Sequence, residues 1–280
     1  MKAVDLSETG RFVTTVEVVP PAGPDAGALL AALGDLKTLP VDAFSVATNP
    51  VAKARMSALA LSALIHRETG RRAILHCTTR DHNRLSLQGL LWGALALGID
   101  TVLVTSGDFV ALVDRGTVST VRDMDVFGLI KMAAEAGLST GVVIEPSGDL
   151  PGTIDRLHRK VAVGARFAVT QPIYDEGDAD ALYEAVRNVS IPVHMGILPL
   201  RTPRHADFLH SKVAGIRVPQ AVRERMHRAQ EPVAEGAMIS RAMLEVARRR
   251  FAGACLMPPF DHYEVLFEIL QTEKQRSENP

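Results

Sequence analysis

Eight short runs rich in β-branched residues alternate with longer amphipathic ones, and this alternation constrains the fold more than any other feature. The strand candidates are Phe12–Val19, Ala43–Ala47, Ala73–Cys77, Thr101–Thr105, Ser139–Ile144, Phe167–Thr170, Val193–Ile197 and Ala254–Met257. Helical periodicity predicts helices between them over Ala26–Leu36, Lys53–Glu68, Asn83–Leu97, Val126–Glu135, Thr153–Val163, Ala179–Val186 and Arg204–Val213. Strands that return to the same end through a helix pair in parallel. Runs such as Ala73–Cys77 (AILHC) and Val102–Thr105 (VLVT) are largely apolar rather than alternating, as for strands covered on both faces. The expected class is therefore α/β, a (β/α)8 TIM barrel closed by eight units, with residues 1–280 forming one domain. The rival, an open doubly wound sheet, usually carries a glycine-rich phosphate turn after its first strand. Here that strand runs into Pro20-Pro21-Ala22-Gly23-Pro24, and neither GxGxxG nor GxxxxGK[ST] occurs in the chain. The seventh and eighth strands are separated by extra helices near Gln220–Ala229 and Ala234–Arg249. Tyr263–Gln271 follows the last strand, and the polar Thr272–Pro280 is expected to fray.

Composition narrows the partners. At 47% hydrophobic and 22% charged residues the chain has material for a core, and its net charge of -1 provides no basic field for nucleic acid or an anionic membrane. Cys77 and Cys255 are far apart and form no CxxC, which speaks against a disulfide scaffold or a structural zinc site. No apolar stretch marks the N-terminus, and Leu85–Leu97 is too short to span a bilayer and is interrupted by Gln88 and Gly89. The expectation is a cytoplasmic protein. The triplet Arg248–Arg250 reads as a solvated helix end.

In such a barrel, chemistry belongs at the C-terminal strand ends. The first strand offers Glu17 among Val16, Val18 and Val19. A carboxyl in an apolar strand is costly unless partnered or neutral, and a raised pKa would suit a general acid; a solvent-facing Glu is the equal alternative. The other ends bring Thr48-Asn49-Pro50, His76-Cys77-Thr78-Thr79, Thr105-Ser106-Gly107-Asp108 and Thr170-Gln171-Pro172. Gly107 permits close backbone approach to a ligand, and the Gln171 amide both donates and accepts. His194 offers a second imidazole, although a satisfied core residue is the commoner role for it and for His66. No strand candidate holds a Lys for a Schiff base, and neither HExxH nor a clustered His/Asp set suggests a metal.

These residues fall into an ordered series of motifs. Val16-Glu17-Val18-Val19-Pro20-Pro21 is followed by Asn49, Ala54-Arg55-Met56-Ser57, HCTTRDHN (His76–Asn83), LQGLLWGALALGID (Leu87–Asp100) and VTSGD (Val104–Asp108). LHRKVAVGARFAVTQPIYD (Leu157–Asp175), GILPL (Gly196–Leu200), GIRVP (Gly215–Pro219) and LMPPFDHYE (Leu256–Glu264) complete it. The series resembles the methylenetetrahydrofolate reductases, most closely the reductase domain of bifunctional bacterial proteins that also carry a homocysteine methyltransferase domain. The resemblance implies a (β/α)8 barrel interconverting 5,10-methylenetetrahydrofolate and 5-methyltetrahydrofolate. It implies that Glu17 is the general acid, that Asp108 contacts the pterin and tunes a flavin, and that Gln171 and Thr48 help bind the folate. His76, Thr105, Gly107 and Asp108 would line an FAD, with Arg159 and Lys160 toward its phosphates. FMN, or direct hydride transfer from NADH or NADPH, are variants of the same scheme, and a homo-oligomer is the family habit. This chain departs from the family pattern in Phe109–Thr120, at the fifth strand end (Val143–Ser147), and at His262, where an Arg is usual. The rival functions are a non-redox pterin-binding barrel in methyl transfer or demethylation, and a non-catalytic partner subunit of a reductase.

Overall fold

The computed structural model describes residues 6, 10–108, 118–213, 215–259 and 262–270. The eight strands are β1 (Val13–Val18), β2 (Ala43–Val46), β3 (Arg72–Thr78), β4 (Thr101–Thr105), β5 (Ser139–Ile144), β6 (Phe167–Pro172), β7 (Val193–Ile197) and β8 (Gly253–Leu256). Each pairs in parallel with the next, and β8 closes on β1 through Val13↔Gly253 to Val16↔Leu256. Around them run α1 (Gly27–Asp35), α2 (Ala58–Thr69), α3 (Arg84–Ala96), α4 (Val126–Glu135), α5 (Leu150–Ala162), α6 (Glu176–Val186) and α7 (Pro203–Lys212). Two further helices, α8 (Gln220–Arg228) and α9 (Pro232–Arg250), precede β8. The structure is thus the closed (β/α)8 TIM barrel expected from the alternation, with extra helices between the last two strands.

The period of two along each strand sorts its side chains. Val16 and Val18 of β1, Phe44 and Val46 of β2, and Leu75 and Cys77 of β3 point into the layer under the helices. The opposite set, including Leu6, Val13, Ile74, Leu103, Phe167 and Cys255, fills the barrel interior. His194 belongs to that interior packing. Its Nε2 shares a hydrogen bond with the Leu6 carbonyl at 3.2 Å, its ring lies edge-on to Phe167 at 5.9 Å, and burial pushes its pKa down to about 4. It is a neutral core residue on the second position of β7, not an imidazole of the mouth. His66 is likewise structural, on the last turn of α2 with Nδ1 against the Arg71 carbonyl.

Helix starts follow their caps more closely than their hydrophobic periods. Ser57, Asp149, Asp175 and Thr202 accept from the backbone N–H three residues on and open α2, α5, α6 and α7. The α2 start expected at Lys53 is displaced to Ala58, because Lys53 is extended and the side-chain cap that opens the helix is Ser57. At the far end, Arg249 and Arg250 pair with Glu176 and Asp180 of α6, and Arg248 stacks 4.6 Å over Phe12. The arginine triplet therefore staples α9 to its neighbours, weakly, since such exposed pairs contribute little. No helix among the described residues is long and apolar enough to cross a membrane. The Thr272–Pro280 tail lies outside the described residues.

Candidate active site at the C-terminal mouth

Glu17 projects inward from the penultimate position of β1, beside Ser45 of β2 in the register. Burial, and then the negative charge of Asp108, raise its pKa from 4.5 to about 7. Among the described residues no donor hydrogen-bonds its carboxyl, so burial acts on it without compensation. Of the two alternatives open for this residue, the structure shows the inward one.

His76, two residues before the end of β3, shares a 2.7 Å hydrogen bond with Ser45 through Nε2. Burial lowers its pKa to about 4, so the ring is neutral at physiological pH. Thr48 donates to the His76 carbonyl at 2.5 Å, tying the ends of β2 and β3. Thr105 ends β4, and its hydroxyl accepts from the Gly107 N–H at 3.2 Å. Gly107 sits at φ +79°, where a side chain is disfavoured; a Cβ there would also crowd Arg80 at 3.1 Å. Asp108 is exposed, and its carboxylate accepts from the Val51 N–H at 2.5 Å. Asn49, Val51 and Ala52 at φ +42°, +50° and +55° form a turn that costs on the order of 1–3 kcal/mol per strained residue. That turn aims the Val51 N–H at Asp108.

Beneath this turn lies a network built from residues of the HCTTRDHN motif to which the sequence assigned no role. Arg80, only 4% exposed, grips Asp81 through Nε at 2.6 Å and Nη2 at 2.7 Å. It also donates to the carbonyls of Asp108 and Asn49, each at 3.0 Å. The Asn49 amide adds a 3.1 Å bond to Asp81. Burial pushes the Asp81 pKa up, but the bonds from Arg80 and Asn49 outweigh it and hold the carboxyl below its ordinary range. One bidentate pair thus fixes the β2, β3 and β4 ends relative to one another. An Arg-Asp dipeptide directly after a strand end was the signal available in the sequence. Asp81→Asn is expected to destabilise the fold by about 2 kcal/mol in urea unfolding at pH 7, since Arg80 keeps only its carbonyl partners. The loss should shrink in acid, because the carboxylate stabilises above the ordinary carboxyl pKa and that stabilisation disappears as pH falls through its depressed value.

A cavity of about 570 Å³ opens beside this network, lined by Thr79, Arg80, Ser106, Gly107, Asp108 and residues 120–125. That volume lies within the range of small-molecule sites. Gln171 stands on the other side of the mouth, at the bulge where β6 shifts register against β7. Its stem and that of Glu145 flank Gly215, whose carbonyl accepts from Ser147 at 3.1 Å. Arg159 and Lys160 lie on α5. Arg159 stacks 4.7 Å over Phe127, near the start of α4, and Lys160 donates to the Val143 carbonyl at 2.7 Å. The mouth therefore joins Glu17, Thr48, His76, Thr105, Gly107 and Asp108 closely, with Gln171 across from them and the two α5 cations on the helical layer. Both thiols are buried with pKa raised to about 12, which removes them from consideration as nucleophiles. Part of the divergent Phe109–Thr120 segment lies outside the described residues.

Comparison with solved structures places the fold among known barrels. A Clostridium thermocellum protein, described as uncharacterized and as binding two copies of 5-methyl-5,6,7,8-tetrahydrofolic acid, superposes with a TM-score of 0.71 at 12% identity. The match covers 95% of this chain and 96% of that one. Tryptophan synthase from M. tuberculosis gives 0.55 at 15% identity over 92% and 91%, and a 2,3-dimethylmalate lyase gives 0.52 at 11% over 98% and 84%. At these identities the likeness is one of fold. No protein of curated function matches in sequence. The methylenetetrahydrofolate reductase family model, by contrast, matches residues 2–253, a span that holds every site residue named above. The chain belongs to the methylenetetrahydrofolate reductase family.

Proposed function

We propose that this chain reduces the one-carbon unit of 5,10-methylenetetrahydrofolate to a methyl group, with Glu17 as the proton donor. The observation that carries the reading is the inward, half-buried Glu17 carboxyl with a pKa of about 7, which keeps a transferable proton at neutral pH. Opening the imidazolidine ring breaks the bond between the methylene carbon and N10. Glu17 gives its proton to N10 and becomes a carboxylate, leaving an iminium at N5 that accepts hydride. Asp108 is positioned to accept from the pterin edge, provided the ligand takes over the lone pair now given to the Val51 N–H. Thr48 and Gln171 complete the polar edge contacts.

The residues present fit a flavin. A left-handed glycine exposes backbone beside a cavity of sufficient size, the neutral His76 adds no competing charge, and Arg159 is an exposed cation. His76, Thr105, Gly107 and Asp108 would face its ring system and Arg159 and Lys160 its phosphates; when bound it supplies the hydride, drawn from NADH or NADPH. Lys160 would have to exchange the Val143 carbonyl for a phosphate oxygen.

The second reading, a folate-binding barrel without redox chemistry, is favoured by the Clostridium thermocellum protein of like fold, which binds 5-methyl-5,6,7,8-tetrahydrofolic acid. Anaerobic mixing of the purified protein with NADH or NADPH and 5,10-methylenetetrahydrofolate separates the two. Reduced nucleotide consumed in equal amount with 5-methyltetrahydrofolate formed is the expected result, with or without added FAD. Tight binding of 5-methyltetrahydrofolate and no nucleotide oxidation under any cofactor condition would favour the non-redox barrel.

A further inference from the structure

Buried and half-buried guanidinium groups in this fold are mostly committed. Arg71 holds backbone carbonyls, Arg241 holds one although its Nε is enclosed without a partner, Arg72 and Arg250 hold Asp100 and Asp180, Arg80 holds Asp81, and Arg223 holds the Val218 carbonyl and Asp207. Such commitment is expected, because a guanidinium withdrawn from water without a partner forfeits its hydration. Two on the rim of the mouth depart from it. Arg55 reaches the Pro20 carbonyl only at 3.5 Å, and its Nε is enclosed with no partner. Arg201, half-buried just beyond β7, has no carboxylate or carbonyl within bonding reach of its guanidinium among the described residues.

The backbone under Arg201 is fixed from several sides. The Tyr174 hydroxyl donates to the Leu198 carbonyl at 3.0 Å. Gly236 of α9 packs so closely on the Leu200 carbonyl that a Cβ there would overlap it. The Arg201 N–H donates to His205 Nδ1 at 3.4 Å, and Thr202 caps α7 through the His205 N–H at 3.0 Å. The neighbouring acid, Glu264, bonds instead to His262 at 2.6 Å. Among the described residues Arg201 therefore makes no guanidinium hydrogen bond and only acts through space on Glu264; it stands on a rigid stem, one strand away from β1 and Glu17 around the barrel.

We propose that Arg201 reads the carboxylates of the substrate, gripping the glutamate end of a folate whose pterin lies over Glu17 and Asp108. This rests on the folate reading above. A folate carries its carboxylates at the far end of an aromatic spacer, so a rim residue meets them rather than one on the barrel floor. A guanidinium suits a carboxylate because it can donate two parallel bonds. Arg55 is less suited, since its Nε is walled in and its Nη1 is turned to Pro20.

Calorimetric binding of 5-methyltetrahydrofolate and of 5-methyltetrahydropteroate, which lacks the glutamate, tests this. Wild type is expected to bind the glutamate-bearing ligand roughly tenfold more tightly, with a preference that fades as salt rises. Arg201→Ala should lose that preference and its salt dependence while keeping wild-type affinity for the pteroate, and Arg201→Lys should fall between. A variant that retains the full preference overturns the assignment and leaves the folate site standing. Failure of wild type to bind either ligand overturns both. Should Arg201→Ala not fold, the salt dependence of the wild-type preference decides alone, and a preference unmoved by salt counts against the assignment.

Discussion

Glu17→Gln is expected to end turnover and at the same time to stabilise the protein above pH 7. Both effects come from the same carboxyl. Burial first, and Asp108 second, raise its pKa from 4.5 to about 7. Between those values the folded protein retains a proton that the unfolded chain has released, so stability falls as pH rises through the window. The full penalty, up to about 3 kcal/mol before discounting for the solvent that still reaches the side chain, applies above pH 7. Glutamine stays neutral throughout and escapes it. The stability difference between variant and wild type should therefore be close to zero at pH 4 and grow to its maximum by pH 8, measured by urea unfolding across that range. Turnover with methylenetetrahydrofolate should drop by at least about a hundredfold, because N10 loses its proton donor, while binding of 5-methyltetrahydrofolate persists. A stability difference that does not change with pH would mean that folding leaves the carboxyl's pKa at its ordinary value, so that it is ionised at neutral pH, and the general-acid role would fail with it.

Not every feature of this protein was equally legible in its sequence. The architecture was, because eight apolar runs separated by amphipathic ones allow parallel closure and little else. The inward position of Glu17 was half legible: the period of two places it opposite Val16 and Val18, but nothing local says which face turns inward until β1 is paired on both sides. The Arg80–Asp81 clamp was harder to see. Its meaning depends on carbonyls of Asn49 and Asp108, 31 and 28 residues away, and backbone acceptors have no signature in sequence. The left-handed turn at Asn49–Ala52 was concealed for a different reason. Val51 is β-branched and disfavours that conformation, so nothing local marked the positive φ that the bonds to Arg80 and Asp108 hold in place. His194 shows the opposite case, a polar residue for which the core was the commoner expectation, and its place on β7 puts it there.

The second large effect concerns two glycines that make room for that core, and it separates two kinds of tight contact. Gly141 of β5 faces Phe167 of β6, and the three atoms nearest a Cβ at 141 all belong to the aromatic ring, which it would overlap. Gly253 of β8 faces His194 of β7, and a Cβ there would overlap both the imidazole and the Val13 carbonyl of β1. A side chain can shift or be shortened, whereas a strand carbonyl is held by the barrel itself. Gly141→Ala is expected to destabilise by about 2–3 kcal/mol, within the usual range for overpacking. Phe167→Leu in the same chain should recover part of that loss, because the ring that causes the clash is gone. Gly253→Ala should exceed about 3 kcal/mol and should not be recovered by His194→Ala, since the Val13 carbonyl remains in place and the β1–β8 seam must open to admit the methyl group. Urea unfolding of the four single and two double variants reads the coupling directly. Recovery of Gly253→Ala by His194→Ala would show that the seam yields, and that the imidazole rather than the strand carbonyl sets the size limit at the barrel's closing edge.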